Sequence, residues 1–338
     1  MSGRHSNIAL FIPHEGCPHQ CSFCNQRSIS GAVRRPRAAD VRAAMETALR
    51  SLRAQDRAGA ELAFFGGSFT AIAEGYMLEL LEAAQPYLKQ GQIAGIRVST
   101  RPDAVDSGVL ALLKRYGVTA VELGAQSMDD RVLARNGRGH TARDVQEAAR
   151  RIRGAGFELG LQMMTGLPGD TPQGAAETLR RLLSFQPDTM RIYPTIVLEG
   201  TPLAELYRAG DYIPQPLDEA VSLCAALLLQ CGEAGVPVIR LGLHAGGDVQ
   251  AGYLAGPWHP AFRELCEGEI YLQNALCALR QALPRGGRAV LLVGPRFVSQ
   301  MAGQRRRNLE RLMAQGFECR IFADAACKKY EVKLKRQK

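Results

Sequence analysis

Between residues 8 and 244, short apolar runs alternate with long amphipathic stretches, and this rhythm leaves few folds open. Strand candidates fall at 8–12, 61–65, 95–99, 120–124, 158–164, 189–194 and 236–241. Helical periodicity fills gaps between them, at 38–58, 76–89, 142–155, 171–184 and 217–234. Ala155-Gly156 and Ala234-Gly235 mark helix ends, where glycine supplies a left-handed cap. Strand–helix alternation produces parallel strands joined by right-handed crossovers. About six such units predict an α/β protein, a partial (β/α)6 barrel, with its chemistry at the C-terminal ends of the strands.

After residue 244 the rhythm breaks. A glycine-rich segment at 246–260 is a lid or a connector, and 261–283 reads as a helix. Residues 289–293, 305–314 and 318–322 then predict a small strand–helix–strand unit, followed by a basic tail at 328–338. The expected organisation is a core at 1–245, a connector and helix at 246–284, and a small C-terminal α/β appendage at 285–338. Charge divides the same way. Residues 285–338 hold 14 Lys/Arg against 4 Asp/Glu, whereas the first 284 hold 28 against 29. No run reaches the roughly 18 apolar residues of a membrane span, and 8–13 is too short for a signal peptide. The expectation is a cytoplasmic protein with no membrane partner.

Three of the nine cysteines fall within eight residues, in Cys17-Pro18-His19-Gln20-Cys21-Ser22-Phe23-Cys24. The spacing is C-x3-C-x2-C, in the loop after the first predicted strand. A disulfide framework would spread its cysteines and leave none over. Three clustered thiolates suit an iron–sulfur cluster with one iron left open. Zinc completed by His14 or His19 is the alternative, but structural zinc sites draw on two separated ligand pairs and no second pair is present.

Further motifs follow at successive strand ends: Phe65-Gly66-Gly67-Ser68-Phe69, Ser99-Thr100-Arg101-Pro102-Asp103, and Glu122-Leu123-Gly124-Ala125-Gln126-Ser127. Asn136-Gly137-Arg138-Gly139-His140 and Gln162-Met163-Met164-Thr165-Gly166-Leu167-Pro168-Gly169 come next, and Tyr193-Pro194 closes a later strand. In this order the blocks resemble the radical S-adenosylmethionine (SAM) core of the Elongator catalytic-subunit family, over residues 8–244. They are more distantly similar to oxygen-independent coproporphyrinogen oxidase. The resemblance implies a radical SAM barrel with a [4Fe–4S] cluster on Cys17, Cys21 and Cys24, and SAM on its open iron. Reductive cleavage of SAM to a 5′-deoxyadenosyl radical is the implied activity, with Phe23 shielding the cluster. The backbone at Gly66 and Gly67 is implied to bind the SAM amino group, since glycine lets a ligand approach the chain. Ser99 and Gln126 are implied near the ribose, Gln162 near the ribose or methionine moiety, and Arg138 on the carboxylate. Two departures limit the likeness. The Elongator cysteine spacing is longer, and its C-terminal acetyltransferase domain has no room here.

Tyr193 and His244 stand as catalytic candidates near the expected barrel mouth, with His259 and Trp258 close in sequence. Cys266 and Cys277 read as small buried hydrophobes rather than a second cluster. Arg305-Arg306-Arg307, Lys328-Lys329 and Lys333-Leu334-Lys335-Arg336-Gln337-Lys338 supply a phosphate-binding surface or a solvated face. The leading expectation is a radical SAM enzyme, an oxidoreductase or transferase, that modifies RNA. Its partners would be tRNA through the basic C-terminus and a flavodoxin- or ferredoxin-type electron donor. A radical enzyme acting on a small molecule, and a non-catalytic metal-bearing RNA-binding protein, are the alternatives.

Overall fold

The computed structural model describes residues 6–13, 15–18, 20–25, 34–57, 59–243 and 247–335. Strand β1 (Ser6–Phe11) leads through helix α1 (Ala38–Ser51) to β2 (Ala60–Phe65) and α2 (Glu74–Lys89). Next come β3 (Gly95–Thr100), α3 (Ser107–Arg115), β4 (Val118–Gln126), α4 (Asp130–Arg135), α5 (Ala142–Gly154), β5 (Glu158–Thr165) and α6 (Pro172–Leu183). The core ends with β6 (Thr189–Pro194), β7 (Val197–Leu198), α7 (Pro202–Ala209), α8 (Leu217–Glu233) and β8 (Val238–Leu241). The sheet order β1-β2-β3-β4-β5-β6-β8 follows the chain, and every adjacent pair is parallel. This is the partial α/β barrel that the alternation predicts. The caps agree as well: α5 closes on Gly156 at φ 80°, with Phe157 N–H donating to the Ile152 carbonyl.

The strands show two chemistries, because side chains alternate between faces. Ile8, Leu62, Phe64, Ile96, Val98, Val121, Leu123, Leu159, Leu161 and Ile192 pack outward into the main core under the helices. Residues of opposite parity face inward, and these include Glu61, Arg97, Ser99, Glu122, Gln162, Arg191 and Arg240. Arg97 is only 1% exposed, with Nε 2.7 Å from Glu61, Nη2 2.6 Å from Glu158 and Nη1 3.5 Å from Glu122. Buried charges of this kind persist only when paired.

Helix α9 (Gly247–Gly252) and β9 (Tyr253–Ala255) follow the core, and β9 pairs antiparallel with β7. The glycine-rich segment is thus anchored to the loop after β6. Trp258 packs tilted against Tyr253 of β9, ring centroids 5.7 Å apart, and His259 Nδ1 accepts from the Ala261 N–H just before the next helix. Helix α10 (Phe262–Ala282) then spans two cores. Cys266 and Ile270 pack into the main core; Tyr271, Leu272, Leu276 and Leu279 pack into a second one. That second core lies under β10 (Gly287–Val293), α11 (Val298–Ala302), α12 (Arg307–Ala314), β11 (Phe317–Ala323) and β12 (Lys333–Leu334). The small sheet runs β11-β10-β12, with β12 antiparallel. Cys266 is buried as expected, whereas Cys277 is exposed, because the helix turns that face to solvent. No described helix is long and apolar enough to cross a membrane.

Candidate functional site

The inward faces and strand-end loops enclose a cavity of about 510 Å3. Its wall holds Cys17, Cys21 and Cys24 with Gly66, Gly67, Ser99, Gln126, Arg138, Gln162 and Tyr193. Residues distant in sequence meet here because parallel strands end on the same side. His244, and the zinc candidates His14 and His19, lie outside the described residues. Trp258 and His259 do not line the cavity.

The cysteine loop is docked from three directions. The Ser22 N–H donates to the Asn136 carbonyl at 3.1 Å, and Ser22 Oγ donates to Asn136 Oδ1 at 2.7 Å. Asn136 is fully buried, and its Nδ2 donates to the Val132 and Pro168 carbonyls, tying the cysteine loop to α4 and to the loop after β5. The Leu203 N–H reaches the Ser22 carbonyl from α7. Ser68 N–H, after β2, donates to the Glu15 carbonyl at 2.8 Å. Gly67 permits that approach: at φ 51°, a Cβ there would stand 2.3 Å from the Glu15 oxygen and 2.8 Å from that of Ile12. The glycine pair expected to admit a ligand is therefore also required by the cysteine loop.

Arg138 crosses from the loop after α4 to this region. Nη1 lies 3.1 Å from Cys21 Sγ, and Nη2 donates to the Gly124 carbonyl at 2.7 Å. Its Nε, like Nη1 of Arg101, is buried with no hydrogen-bond partner among the described residues. Arg101 otherwise grips Asp103 bidentately at 2.8 and 2.9 Å, and that contact holds the Asp103 carboxyl below its usual range against the opposing push of burial. Burial pushes the Cys17 thiol up, as does nearby Cys21, while Arg101 and Arg138 pull it down.

Gln126 occupies the left-handed region at φ 65°, where the β4–β5 register shifts. The Gln162 Nε2 donates to its Oε1 at 3.2 Å, so the two candidate glutamines form one unit. His140 lies behind them, 5% exposed, with Nε2 3.3 Å from the Ala125 carbonyl. Burial, reinforced by Arg138, drops its pKa to about 4, so the ring is neutral at physiological pH. On the same cavity wall, Arg191 pairs with Glu122 at 2.7 Å and lies over the Phe65 ring at 4.6 Å. Arg240, beside it on β8, has no acidic partner among the described residues.

Local sequence patterns do not mark two kinds of residue. Asn136 and Glu122 stand inside motifs that give them no role, and their importance comes from burial. Arg191 and Arg240 sit within strands whose apolar neighbours dominate the pattern.

The donor set suits a cluster ligand. Three cysteines share the wall of one cavity, while no group of ligating side chains among the described residues is gathered round a single ion. The orphaned guanidinium nitrogens of Arg101 and Arg138 suit an anion such as a carboxylate.

A profile of the radical SAM superfamily matches residues 11–182, and one of its C-terminal domain matches residues 187–271. The chain is 30% identical over 250 residues to the tRNA uridine(34) acetyltransferase of Dehalococcoides mccartyi (strain CBDB1), covering 64% of this chain and 54% of that relative. It therefore spans about half that relative's length. Over 137 residues it is 34% identical to Elongator complex protein 3 of Homo sapiens, covering 40% of this chain and 25% of that protein. The archaeal Elp3 of Methanocaldococcus infernus, solved with an N-terminal deletion, shares the fold. Its TM-score is 0.61 at 19% identity, over 81% of this chain and 68% of that one.

Proposed function

The chain belongs to the radical SAM superfamily, and on that premise we propose that it is a tRNA-modifying member whose cluster is held by Cys17, Cys21 and Cys24. The observation that carries the SAM part is the meeting of those cysteines with Arg138, and its unpaired Nε, at one cavity wall. The tRNA part is supported by likeness to a relative named for tRNA uridine(34) over 64% of this chain.

When bound, the [4Fe–4S] cluster and SAM supply one-electron chemistry, the reductive cleavage that yields a 5′-deoxyadenosyl radical. The chain's own residues bind, orient and exclude water. Arg138 would hold the SAM carboxylate through its free nitrogen, and the backbone at Gly66 and Gly67 would receive the amino group. Ser99, Gln126 and Gln162 offer hydrogen bonds to the ribose, with Gln162 already locked to Gln126. Phe23 and Phe65, on the cavity wall, limit water near the cysteines. Tyr193, farther along that wall, is the candidate to meet substrate; His244 is a second. The reading calls for a reducing compartment, the cytoplasm, and an electron donor of the flavodoxin or ferredoxin type. RNA would reach the cavity with help from the basic C-terminal unit.

A small-molecule substrate is the second reading. It is favoured by Arg191 and Arg240, charged groups on the same cavity wall that are assigned to neither the cluster nor SAM.

The primary test is anaerobic reconstitution with iron and sulfide, followed by SAM and dithionite. The expected product is 5′-deoxyadenosine, and Cys21→Ala is expected to lose both it and the brown chromophore. Retained absorbance in that variant removes the ligand assignment. Mass spectrometry of tRNA nucleosides from a deletion strain separates the readings: an altered nucleoside supports the first, an unchanged profile the second.

A further inference from the structure

The small C-terminal sheet is covered on one face and open on the other. Leu291 and Val293 of β10, Phe317 and Ile321 of β11, and Leu334 of β12 point into the second core, against the helices. Alternation sends the intervening residues outward. The register lines these up in two rows across the three strands. Phe322, Leu292 and Lys333 form one row; Arg320, Val290 and Lys335 form the next, where the Lys335 N–H donates to the Val290 carbonyl at 2.9 Å. An apolar strip thus crosses the middle, with cations on both flanks.

Phe322 is 54% exposed, an unusual place for a large aromatic ring. Arg320 and Lys335 are exposed and have no acidic partner among the described residues. Lys333 meets Glu331 at 3.3 Å, and Arg288 meets Glu318 at 2.8 Å. Such exposed pairs are worth little and yield readily to a stronger anion. The surrounding unit concentrates the chain's positive charge, with 14 Lys/Arg against 4 Asp/Glu over residues 285–338.

An exposed aromatic ring, with unpaired Arg320 beside it on β11 and unpaired Lys335 across the sheet on β12, matches the chemistry of an unpaired nucleotide, whose base offers a π face and whose backbone offers phosphates. A duplex would hide its bases and use the cations alone. We propose that this open face takes a single-stranded stretch of RNA, with one base stacked on Phe322 and phosphates held by Arg320 and Lys335. The inference rests on the RNA reading above and adds where, and in what form, the RNA is held.

The test uses the full chain with a short fluorescein-labelled oligouridine, and with an RNA duplex of equal length, followed by anisotropy over a range of salt. The single strand is expected to bind more tightly than the duplex. Phe322→Ala should weaken it roughly tenfold, the worth of one stacked base, with an unchanged salt slope. Arg320→Ala with Lys335→Ala should reduce that slope by about 1.4, for two phosphates at ~0.7 each. Because these side chains are exposed, unfolding does not confuse the result, and thermal melting confirms it. Unchanged affinity in both variants, or equal binding of duplex and single strand, overturns the proposal. So does self-association that sedimentation shows to depend on Phe322, since the face would then join copies of the chain. If the variants bind as wild type while the deletion strain has altered tRNA nucleosides, the surface falls and the tRNA reading stands. If the face binds RNA and the nucleosides are unchanged, the reverse holds.

Discussion

The Arg138 guanidinium sits 3.1 Å from Cys21 Sγ and, with its other terminal nitrogen, holds the Gly124 carbonyl at 2.7 Å. One side chain thereby links the cysteine loop to the end of β4, which Gln126 closes. An arginine spanning two loops fixes their separation, which a flexible lysine would not do.

Arg138→Met keeps all three cysteines, and the Asn136, Leu203 and Ser68 contacts still dock their loop, so it should leave the brown chromophore in place and weaken SAM binding. The loss of one charge-assisted hydrogen bond corresponds to roughly 10- to 100-fold. Equilibrium dialysis with reconstituted protein measures it. Wild-type affinity would show that Arg138 serves the cysteine loop alone.

Gly67→Ala should damage the cluster site from the opposite side. The added Cβ would overlap the Glu15 and Ile12 carbonyls at 2.3 and 2.8 Å, both backbone atoms that cannot swing away. The expected outcome is a cost of about 1–3 kcal/mol in stability, the scale of local backbone strain, together with lower iron content per chain. Gly75→Ala, with open space around its Cβ, is the matched control and should change neither.

Arg97→Met tests the barrel interior. It would leave Glu61 and Glu122, both buried, without their shared cation, although Glu122 keeps Arg191. Removing one member of a buried ion group costs about 3–5 kcal/mol. Urea denaturation should show a lower midpoint with an unchanged slope.

Asp170 supplies a pH dependence. Burial raises its pKa from 3.8 to about 6, even though the Thr171 N–H donates to its carboxylate. A raised folded pKa means that the folded state binds the proton more tightly than the unfolded chain does. The stabilisation is complete below pH 3.8 and disappears as the pH rises through about 6. Asp170→Asn removes the charge and keeps an acceptor oxygen for Thr171. It should raise the melting temperature at pH 7.5, by the equivalent of about 2–3 kcal/mol, and have little effect at about pH 3. An equal shift at both values would exclude this titration as the cause.

The seven strands of the main sheet and the motif residues of the cavity wall are legible because short apolar runs and glycine motifs are local signals. Cys17, Gly66, Gln126 and Gln162 stand in loops or strand ends that announce themselves, and the fold brings them together. The cross-links between those motifs were not legible. Asn136 joins three loops through its carboxamide and backbone, and nothing local marks an asparagine for that. Arg97 and Glu122 interrupt apolar strands at separate places, so their pairing emerges only with the β3–β4 register. Phe322 is one of four aromatics in the basic unit that could stack on a base, with Phe297, Phe317 and Tyr330, and only the sheet separates it from them by showing which face the helices leave open. The short α7 and the β7–β9 pair lay within segments too brief for periodicity to register.

The alternation along the barrel strands separates two kinds of change. A substitution at Leu161 or Val98 alters how the helices seat, while one at Gln162 or Ser99, a single residue away, alters what the chamber can hold. Neighbouring codons thus govern folding and selectivity separately, so the chamber lining can diverge widely among descendants of one scaffold while the scaffold keeps its shape.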